Sequence, residues 1–182
     1  MTIYIIVGLI ALIIIYSLIC YNNFVKLNNQ VKEAFSTMDI YLKKRWDLIP
    51  NVVETVKEYV KYEKNTLEEI VKLRNKSYEH MNYQTKFDVN NKISEGLGKL
   101  IAIAEDYPEL KSSENFKDLS NQLAKIEDDI ASARRYYNGT VRLYNNKIEM
   151  FPSNILAKLF GYKIKTMFEA NSDERENVKV KL

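Results

Sequence analysis

The stretch LKKRWDLIPN, Leu42–Asn51, decides the fold of this chain because it interrupts a long apolar stripe with charge, tryptophan and proline. Its three consecutive cations suit the end of a helix, where the helix dipole is negative. Asp47 suits the N-cap of a following helix, and Pro50 would lie in the first turn, where its missing amide hydrogen is not needed. The stretch therefore predicts a sharp corner between two helices. A kink at Pro50 in one very long helix is the alternative.

The composition of the 182 residues favours long helices and excludes several kinds of site. Only 5 Gly and 3 Pro are present, so the chain has few turn-forming residues and its elements must be long. A net charge of +3 is too small and too evenly spread to predict a nucleic-acid partner. The single cysteine, Cys20, excludes an intramolecular disulfide and a thiolate metal cage.

The run IYIIVGLIALIIIYSLIC, Ile3–Cys20, carries no charge and no polar stripe. As a helix it spans roughly 27 Å, close to the ~30 Å hydrocarbon core of a bilayer. The basic segment and the small-residue cleavage site of a signal peptide are not found around it. Residues 1–21 are therefore predicted to be an uncleaved transmembrane anchor in which lipid buries Cys20. A lipoprotein acceptor is the alternative interpretation of that cysteine.

Positive charge follows the anchor but does not precede it. Lys26 and Lys32 lie on its C-terminal side, and Lys43, Lys44 and Arg45 come after them. The positive-inside rule predicts a cytoplasmic body and a short N-terminus outside. Enrichment in Lys, Asn and Ile favours a bacterial source, so we expect a single-pass protein of the bacterial cytoplasmic membrane. A translocated body is the alternative.

Apolar residues at spacings of three and four predict long helices after the anchor. The first stripe continues from the anchor with no Gly or Pro between them, so anchor and first helix are expected to form one rod. Its members are Phe24, Leu27, Val31, Ala34, Phe35, Met38 and Leu42. The second helix is predicted from Pro50 to about His80.

The third helix is predicted to begin at Asp88 or Asn91, after the polar stretch HMNYQT, and to stop at the proline of DYPELKSS. Its two glycines, Gly96 and Gly98, are interpreted as sites of close helix contact. Ser113 is the candidate cap of a long fourth helix, which carries apolar residues to Ile148 and ends where the FPSN stretch breaks it.

Four antiparallel helices would bury these stripes. The predicted fold is therefore all-α, with a transmembrane helix followed by an antiparallel four-helix bundle over residues 22–170. The charged residues 171–182 are expected to be a disordered tail. In this fold an apolar patch after the fourth helix returns to the bilayer, whereas a three-helix fold with a kink at Pro50 turns the patch away from it. The patch is Phe151, Ile155, Leu156, Leu159, Phe160, Met167 and Phe168.

No catalytic, cofactor-binding or metal site is predicted. The one histidine, His80, lies at a predicted loop edge and is interpreted as a surface residue. No serine lies in a nucleophile elbow, and no glycine-rich loop could hold a phosphate. Five charged residues near the apolar stripes predict cross-helix ion pairs that fix the register of the helices, with a polar recognition surface as the alternative. These residues are Glu63, Arg74, Glu105, Glu127 and Arg134.

The chain resembles the LemA family of bacterial membrane-anchored helical proteins. The motifs that carry the resemblance are LKKRWDLIPN, AEDYPELK, ARRYYN and YNNKIEMFP, and similarity covers nearly the whole chain. The resemblance implies a cytoplasm-facing antiparallel bundle on one membrane helix, without an established enzymatic activity. The candidate positions within these motifs and stripes are Arg45, Asp47, Pro50, Glu63, Arg74, Glu105, Tyr107, Pro108, Glu127, Arg134, Tyr137, Asn138, Asn145 and Pro152.

The sequence therefore predicts a non-enzymatic scaffold on the membrane that presents a helical bundle to a protein partner or to copies of itself. The apolar patch and three tyrosines, Tyr136, Tyr137 and Tyr144, motivate this hypothesis. The alternative is a membrane-shaping module that binds the lipid surface through the same patch with its lysines, which are Lys158, Lys163 and Lys165. No small-molecule substrate, cofactor or nucleic acid is expected.

Overall fold

The computed structural model describes residues 1–60, 64–75 and 78–168, and every regular element among them is a helix. The all-α prediction is confirmed. The chain divides into two units: Met1–Met38 with Ala133–Met167 form the first, and Asp39–Ser132 with Phe168 belong to the second. The helices are α1 Thr2–Tyr59, α2 Lys64–Arg74, α3 Tyr83–Glu105, α4 Pro108–Ser112, α5 Glu114–Glu149 and α6 Ser153–Leu159, with a 3-10 helix at Tyr78–His80.

Helix α1 continues through Pro50 to Tyr59, so the predicted corner is wrong. A proline inside a helix costs about 3 kcal/mol, because one backbone hydrogen bond is lost and the ring crowds the preceding turn. Burial on both sides of the proline offsets this cost, since Trp46 and Val52 are 5% and 3% exposed. Asp47 does not cap a helix; it is exposed and pairs with Lys43 one turn earlier.

The first eighteen helical residues of α1 are almost entirely exposed, and burial begins at Cys20 and Phe24. By length and composition, α1 is the one helix of the described residues that could cross a membrane. The same uninterrupted helix therefore carries an apolar exposed segment and a buried protein face. The expectation that the apolar segment and the first helix after it form one continuous helix is confirmed, since α1 runs from Thr2 to Tyr59.

The predicted second helix to His80 is wrong in its bounds. The chain instead forms the short helix α2, which shares a groove with the end of α1, lined by Val53 and Val71 among others. His80 ends the 3-10 helix and is exposed, as expected for a surface residue. Glu63 and the predicted tail, residues 171–182, lie outside the described residues.

Helix α3 begins at Tyr83, earlier than the predicted start at Asp88 or Asn91. The reason is the preceding Asn82, whose side chain accepts a hydrogen bond of 2.8 Å from the Thr85 amide and so caps the first turn. The predicted stop is confirmed, because α3 ends at Glu105 and α4 begins at Pro108. A helix N-terminus can therefore be hidden in a stretch that looks like a polar loop.

The two glycines of α3 differ. A Cβ at Gly96 would lie 2.9 Å from Cγ1 of Ile70 on α2, so this position is a close helix contact, as predicted. A Cβ at Gly98 would meet nothing within 4 Å, and the same prediction is wrong there.

Helix α5 ends at Glu149, before Pro152, and α6 follows at Ser153, so the predicted break is confirmed. Gly161 adopts a positive φ of 75° at the end of α6. The Tyr162 amide then donates to the Ala157 carbonyl at 2.9 Å, the long bond of a Schellman motif. This turn directs residues 162–168 away from α6 as a non-helical segment, which we call the C-terminal segment.

Candidate functional site

The second unit contains a buried polar network centred on Arg45. Arg45 is 1% exposed, and one of its terminal nitrogens donates to Glu127 of α5 and to Ser94 of α3. The other nitrogen donates to both the backbone carbonyl and the side-chain oxygen of Asn90, each at 2.8 Å. The guanidinium, with its fixed fork of donors, thus holds three helices at one level.

A second ion pair lies beside the first. Lys86 of α3 donates to both carboxylate oxygens of Asp39, at 2.9 and 2.8 Å. The Tyr78 hydroxyl donates to the same carboxylate at 2.7 Å, and the Lys86 ammonium lies 4.4 Å from the centre of the Tyr78 ring. Burial, followed by the hydrogen bond to Asp39, raises the pKa of Tyr78, so the phenol stays protonated and remains a donor.

Asn90 joins the two ion pairs into one network, which we call the polar network: Arg45, Glu127, Ser94, Asn90, Lys86, Asp39 and Tyr78. The Asn90 amide donates to the Lys86 carbonyl at 2.8 Å. A one-turn slip of any of these helices would leave a buried charge without its partner, at a cost of several kcal/mol. The network therefore fixes helix register in the second unit.

Most members of the polar network were missed from the sequence, although a signal exists. Lys86 and Asn90 belong to the buried face of α3, whose spacing alternates between four and three residues through Ile93, Leu97 and Leu100. Arg45 similarly occupies the stripe position between Leu42 and Ile49 on α1. A polar residue on a regular apolar spacing predicts a buried, partnered group.

The other predicted positions of the second unit lie at its surface. Arg74 is exposed at the end of α2, on the wall of a groove that Pro50 also lines. Glu105 and Pro108 are exposed, and Tyr107 is half-buried between α3 and α4. Of the five charges predicted near apolar stripes, the structure thus places Glu127 in an ion pair with a buried partner, whereas Arg74 and Glu105 are at the surface.

In the first unit, side chains of α5 hold the backbone of the C-terminal segment. The Tyr137 and Tyr144 hydroxyls donate to the carbonyls of Thr166 and Lys163, at 2.9 and 3.0 Å. Asn145 donates to the Lys165 carbonyl at 2.9 Å and accepts from the Lys165 amide at 3.0 Å. The Asn145 side chain thus both donates to and accepts from one residue, as a peptide group does in a β-sheet. Helix α5 therefore holds the C-terminal segment by the main chain of that segment. Arg134 and Asn138, also predicted, are half-buried on the same helix.

An aromatic cluster lies where α1 leaves its apolar segment. The ring of Phe24 is 4.9 Å from that of Tyr162, and Tyr162 is 6.4 Å from Tyr144. Tyr21 meets Phe160 edge to face, with ring centres 5.2 Å apart. Burial raises the pKa of Tyr144 and of Tyr162, so both phenols remain neutral. The turn after α6 is therefore held against α1 at residues 21–24.

Helix α6 is apolar on its outer side. Seven large apolar side chains among the described residues after α5 are exposed, and two of these are Met150 and Met167. The other five are what we call the α6 surface: Phe151, Ile155, Leu159, Phe160 and Ile164. Of the predicted patch, Leu156 is half-buried and Met167 is 38% exposed. Phe168 does not belong to an exposed patch, because it is 2% exposed and its ring packs 4.4 Å from Phe87 in the second unit.

Three lysines occur in the same stretch of the chain as the α6 surface. Lys158 and Lys163 are exposed, and the Lys165 ammonium lies 5.2 Å from the centre of the Tyr144 ring. Burial, and then repulsion by Lys32, lowers the pKa of Lys165. Across the described ranges 1–60, 64–75 and 78–168, no three His, Cys, Asp or Glu side chains group in a way that could hold a metal ion.

Comparison with known proteins identifies relatives of this chain. The model of the LemA family matches residues 34–182. Protein LemA of Metamycoplasma hominis is 26% identical over 158 residues, which cover 86% of this chain and 72% of that protein. Magnetosome protein MamQ 2 of Paramagnetospirillum magneticum is 37% identical over 73 residues, 40% of this chain and 27% of its own length. Magnetosome protein MamQ of Magnetospirillum gryphiswaldense is 39% identical over 67 residues, 37% of this chain and 25% of its own length.

Proposed function

The chain belongs to the LemA family, and on that premise we propose that it is a non-enzymatic scaffold anchored in a membrane. Residues 1–21 cross the cytoplasmic membrane of a bacterial cell once, with the N-terminus outside. The helical body lies in the cytoplasm and presents its surface to a protein partner or to a second copy.

The observation that carries this proposal is the continuity of α1 from Thr2 to Tyr59. One helix contains both the exposed apolar segment and the buried face that starts at Cys20 and Phe24. An uninterrupted helix joins the anchor to the residues that follow it without a flexible linker, which suits a scaffold at a membrane.

We propose further that the body of the second unit is an antiparallel four-helix bundle of α1, α2, α3 and α5, with its first reversal after Tyr59 instead of at Pro50. Asp39 binds Lys86 and Arg45 binds Asn90, which favours parallel α1 and α3. The groove that α1 and α2 share favours opposite directions for that pair.

Exposed apolar side chains on the body support a protein partner. Ile40 and Leu143 are each 57% exposed, and Ile101 is 44% exposed. Such residues, when they lie at an interface, contribute by removing apolar area from water.

The test is photo-cross-linking in cells of the full chain with a reactive amino acid at Ile40, Ile101 or Leu143, followed by mass spectrometry. We expect a protein adduct, or a dimer of the chain, from at least one of these positions. The matched control is the exposed Lys125 on α5. A chain that stays monomeric and gives no protein adduct from any of the three apolar positions contradicts the scaffold.

A second candidate function, membrane shaping at the lipid surface, is favoured by one observation. The α6 surface exposes large apolar side chains beside the residues where α1 leaves its apolar segment. A module of this kind would act on the bilayer through α6 in addition to its anchor.

A further inference from the structure

Helix α6 has an inverted distribution of side chains. The residues that it buries against the protein are small, Ser153 at 3% and Ala157 at 1% exposed. The residues that it turns outward are large and apolar, Ile155 at 60% and Leu159 at 75% exposed. An amphipathic helix of a soluble domain buries its large apolar residues and exposes polar ones. The outer face of α6 is therefore suited to contact with lipid or protein and not with water.

The position of α6 indicates which medium this is. Its end is fixed to α1 by the contact between Phe160 and Tyr21, and the following residue pair, Tyr162 and Phe24, lies one turn further on. Tyr21 directly follows the apolar run that ends at Cys20. If the anchor spans the bilayer, α6 lies at the level of the lipid headgroups, where aromatic side chains are also favoured.

The charge around α6 indicates the kind of lipid. Residues 147–167 contain four lysines and one acidic residue, Glu149. Lys158 and Lys163 are exposed next to the apolar side chains. A long lysine side chain can place its stem along apolar surface and its ammonium among phosphates.

We propose that the α6 surface is a second membrane contact, which lies in the headgroup layer and binds anionic phospholipid through its lysines. This inference rests on the proposed anchoring of residues 1–21 in the bilayer. Lipid is the expected ligand because the α6 surface contacts the end of the anchor through Tyr21, whereas a protein partner would have to enter the same headgroup layer.

The test uses the full chain with Cys20→Ala, reconstituted in vesicles of phosphatidylcholine containing one quarter phosphatidylglycerol. Leu159→Cys provides the single cysteine that carries an environment-sensitive fluorophore, and spin-labelled lipids serve as quenchers. Leu12→Cys is the positive control within the anchor. Ile40→Cys is the control outside the membrane, because Ile40 is 57% exposed and lies about 30 Å beyond Cys20 on the same helix α1. We expect lipid quenching at positions 12 and 159 and none at position 40.

Each other outcome is decisive. Quenching at position 12 with a water-exposed label at position 159 overturns the α6 contact and leaves the anchor standing. A label at position 159 that is shielded from water but not quenched by lipid assigns the surface to protein and also overturns the proposal. Absence of quenching at position 12 contradicts the anchoring itself.

The charge requirement is tested with Lys158→Glu combined with Lys163→Glu. Loss of two lysines, at about 1 kcal/mol each, should lower the equilibrium constant for binding of α6 to an anionic surface by roughly thirtyfold, and repulsion of the two new carboxylates should lower it further. We expect this loss in vesicles with phosphatidylglycerol and little change in phosphatidylcholine alone. Equal quenching of the labelled chain with and without these substitutions, in both kinds of vesicle, would show that α6 does not bind anionic lipid through its lysines.

Discussion

The two units of this chain place unusual side chains in opposite locations. The second unit buries charge, with Arg45 at 1% exposure and Asp39 bound by Lys86 and Tyr78. The first unit exposes apolar groups, with Leu159 at 75% exposure on a helix that buries Ser153. A buried charge with all its partners in the same chain indicates internal register, whereas an exposed apolar face indicates a surface that something else covers. The polar network of the second unit therefore has a structural role, whereas the α6 surface of the first unit is suited to an interaction.

The largest effect should come from Arg45→Met, which removes the centre of the polar network at nearly constant volume. We expect the free energy of unfolding to fall by about 3 kcal/mol, the lower end for a broken buried pair because the Glu127 side chain is 39% exposed and keeps some water. Chemical denaturation in detergent measures it. The control is Arg142→Met on the exposed side of α5, and equal stability of the two variants would show that the network does not fix register.

A double-mutant cycle on the ion pair of Asp39 and Lys86 measures how much burial strengthens an ion pair in the second unit. Asp39→Asn with Lys86→Met should show a coupling energy of about 1–2 kcal/mol, because the two side chains are 28% and 10% exposed and share two hydrogen bonds. The pair Glu95 and Lys99, one turn apart and exposed on α3, should show no measurable coupling. Similar coupling in the two cycles would mean that burial does not strengthen the interaction between Asp39 and Lys86.

A local effect is expected in the first unit from Asn145→Ala. This change removes both bonds to Lys165 and should cost about 1–3 kcal/mol for opening of the C-terminal segment. Hydrogen exchange at the Lys165 amide should accelerate, while α5 itself stays protected. Asn146→Ala, at the exposed neighbouring position, is the control. Unchanged exchange at Lys165 would show that α5 does not hold the segment.

The smallest effect, with opposite signs at two positions, is expected for the glycines of α3. Gly98→Ala should stabilise the second unit by about 0.5–1 kcal/mol, because alanine favours a helix and its Cβ meets nothing. Gly96→Ala should destabilise it by about 1 kcal/mol, because Ile70 on α2 must move. Thermal unfolding of both variants measures the difference, and stabilisation by both would show that α2 and α3 adapt at this contact.

The sequence predicts the long elements and fails where tertiary packing overrides a local signal. The apolar stripes predicted α5 and the start of α1, since their spacing continues for many turns. Pro50 and Asp47 predicted a corner from local preferences, yet burial of Trp46 and Val52 keeps the helix intact. The cost of one proline is smaller than the gain from a continuous buried face.

The candidate sites also contain some features that the sequence predicts and others that depend on the fold. The apolar patch was predicted from the apolar stretch after the fourth helix, and five of its residues are exposed in the structure. The burial of Phe168 against Phe87 was not predicted, because it depends on a contact that is distant in sequence. The partners of Arg45 likewise come from α3 and α5, so no local pattern names them. Periodicity can indicate that a polar residue is buried, but only the fold shows what it binds.

The measurement that tests the account most directly is cross-linking of Tyr21→Cys to Phe160→Cys in membranes, in the Cys20→Ala chain. The rings of Tyr21 and Phe160 are 5.2 Å apart, so a short bifunctional thiol reagent should join the two cysteines within one molecule. Tyr21→Cys with Tyr136→Cys, an exposed position further along α5, is the control and should stay unlinked. An efficient intramolecular link for the first pair alone confirms that α6 lies where the anchor ends. Failure of that link in folded, membrane-bound protein would contradict the account.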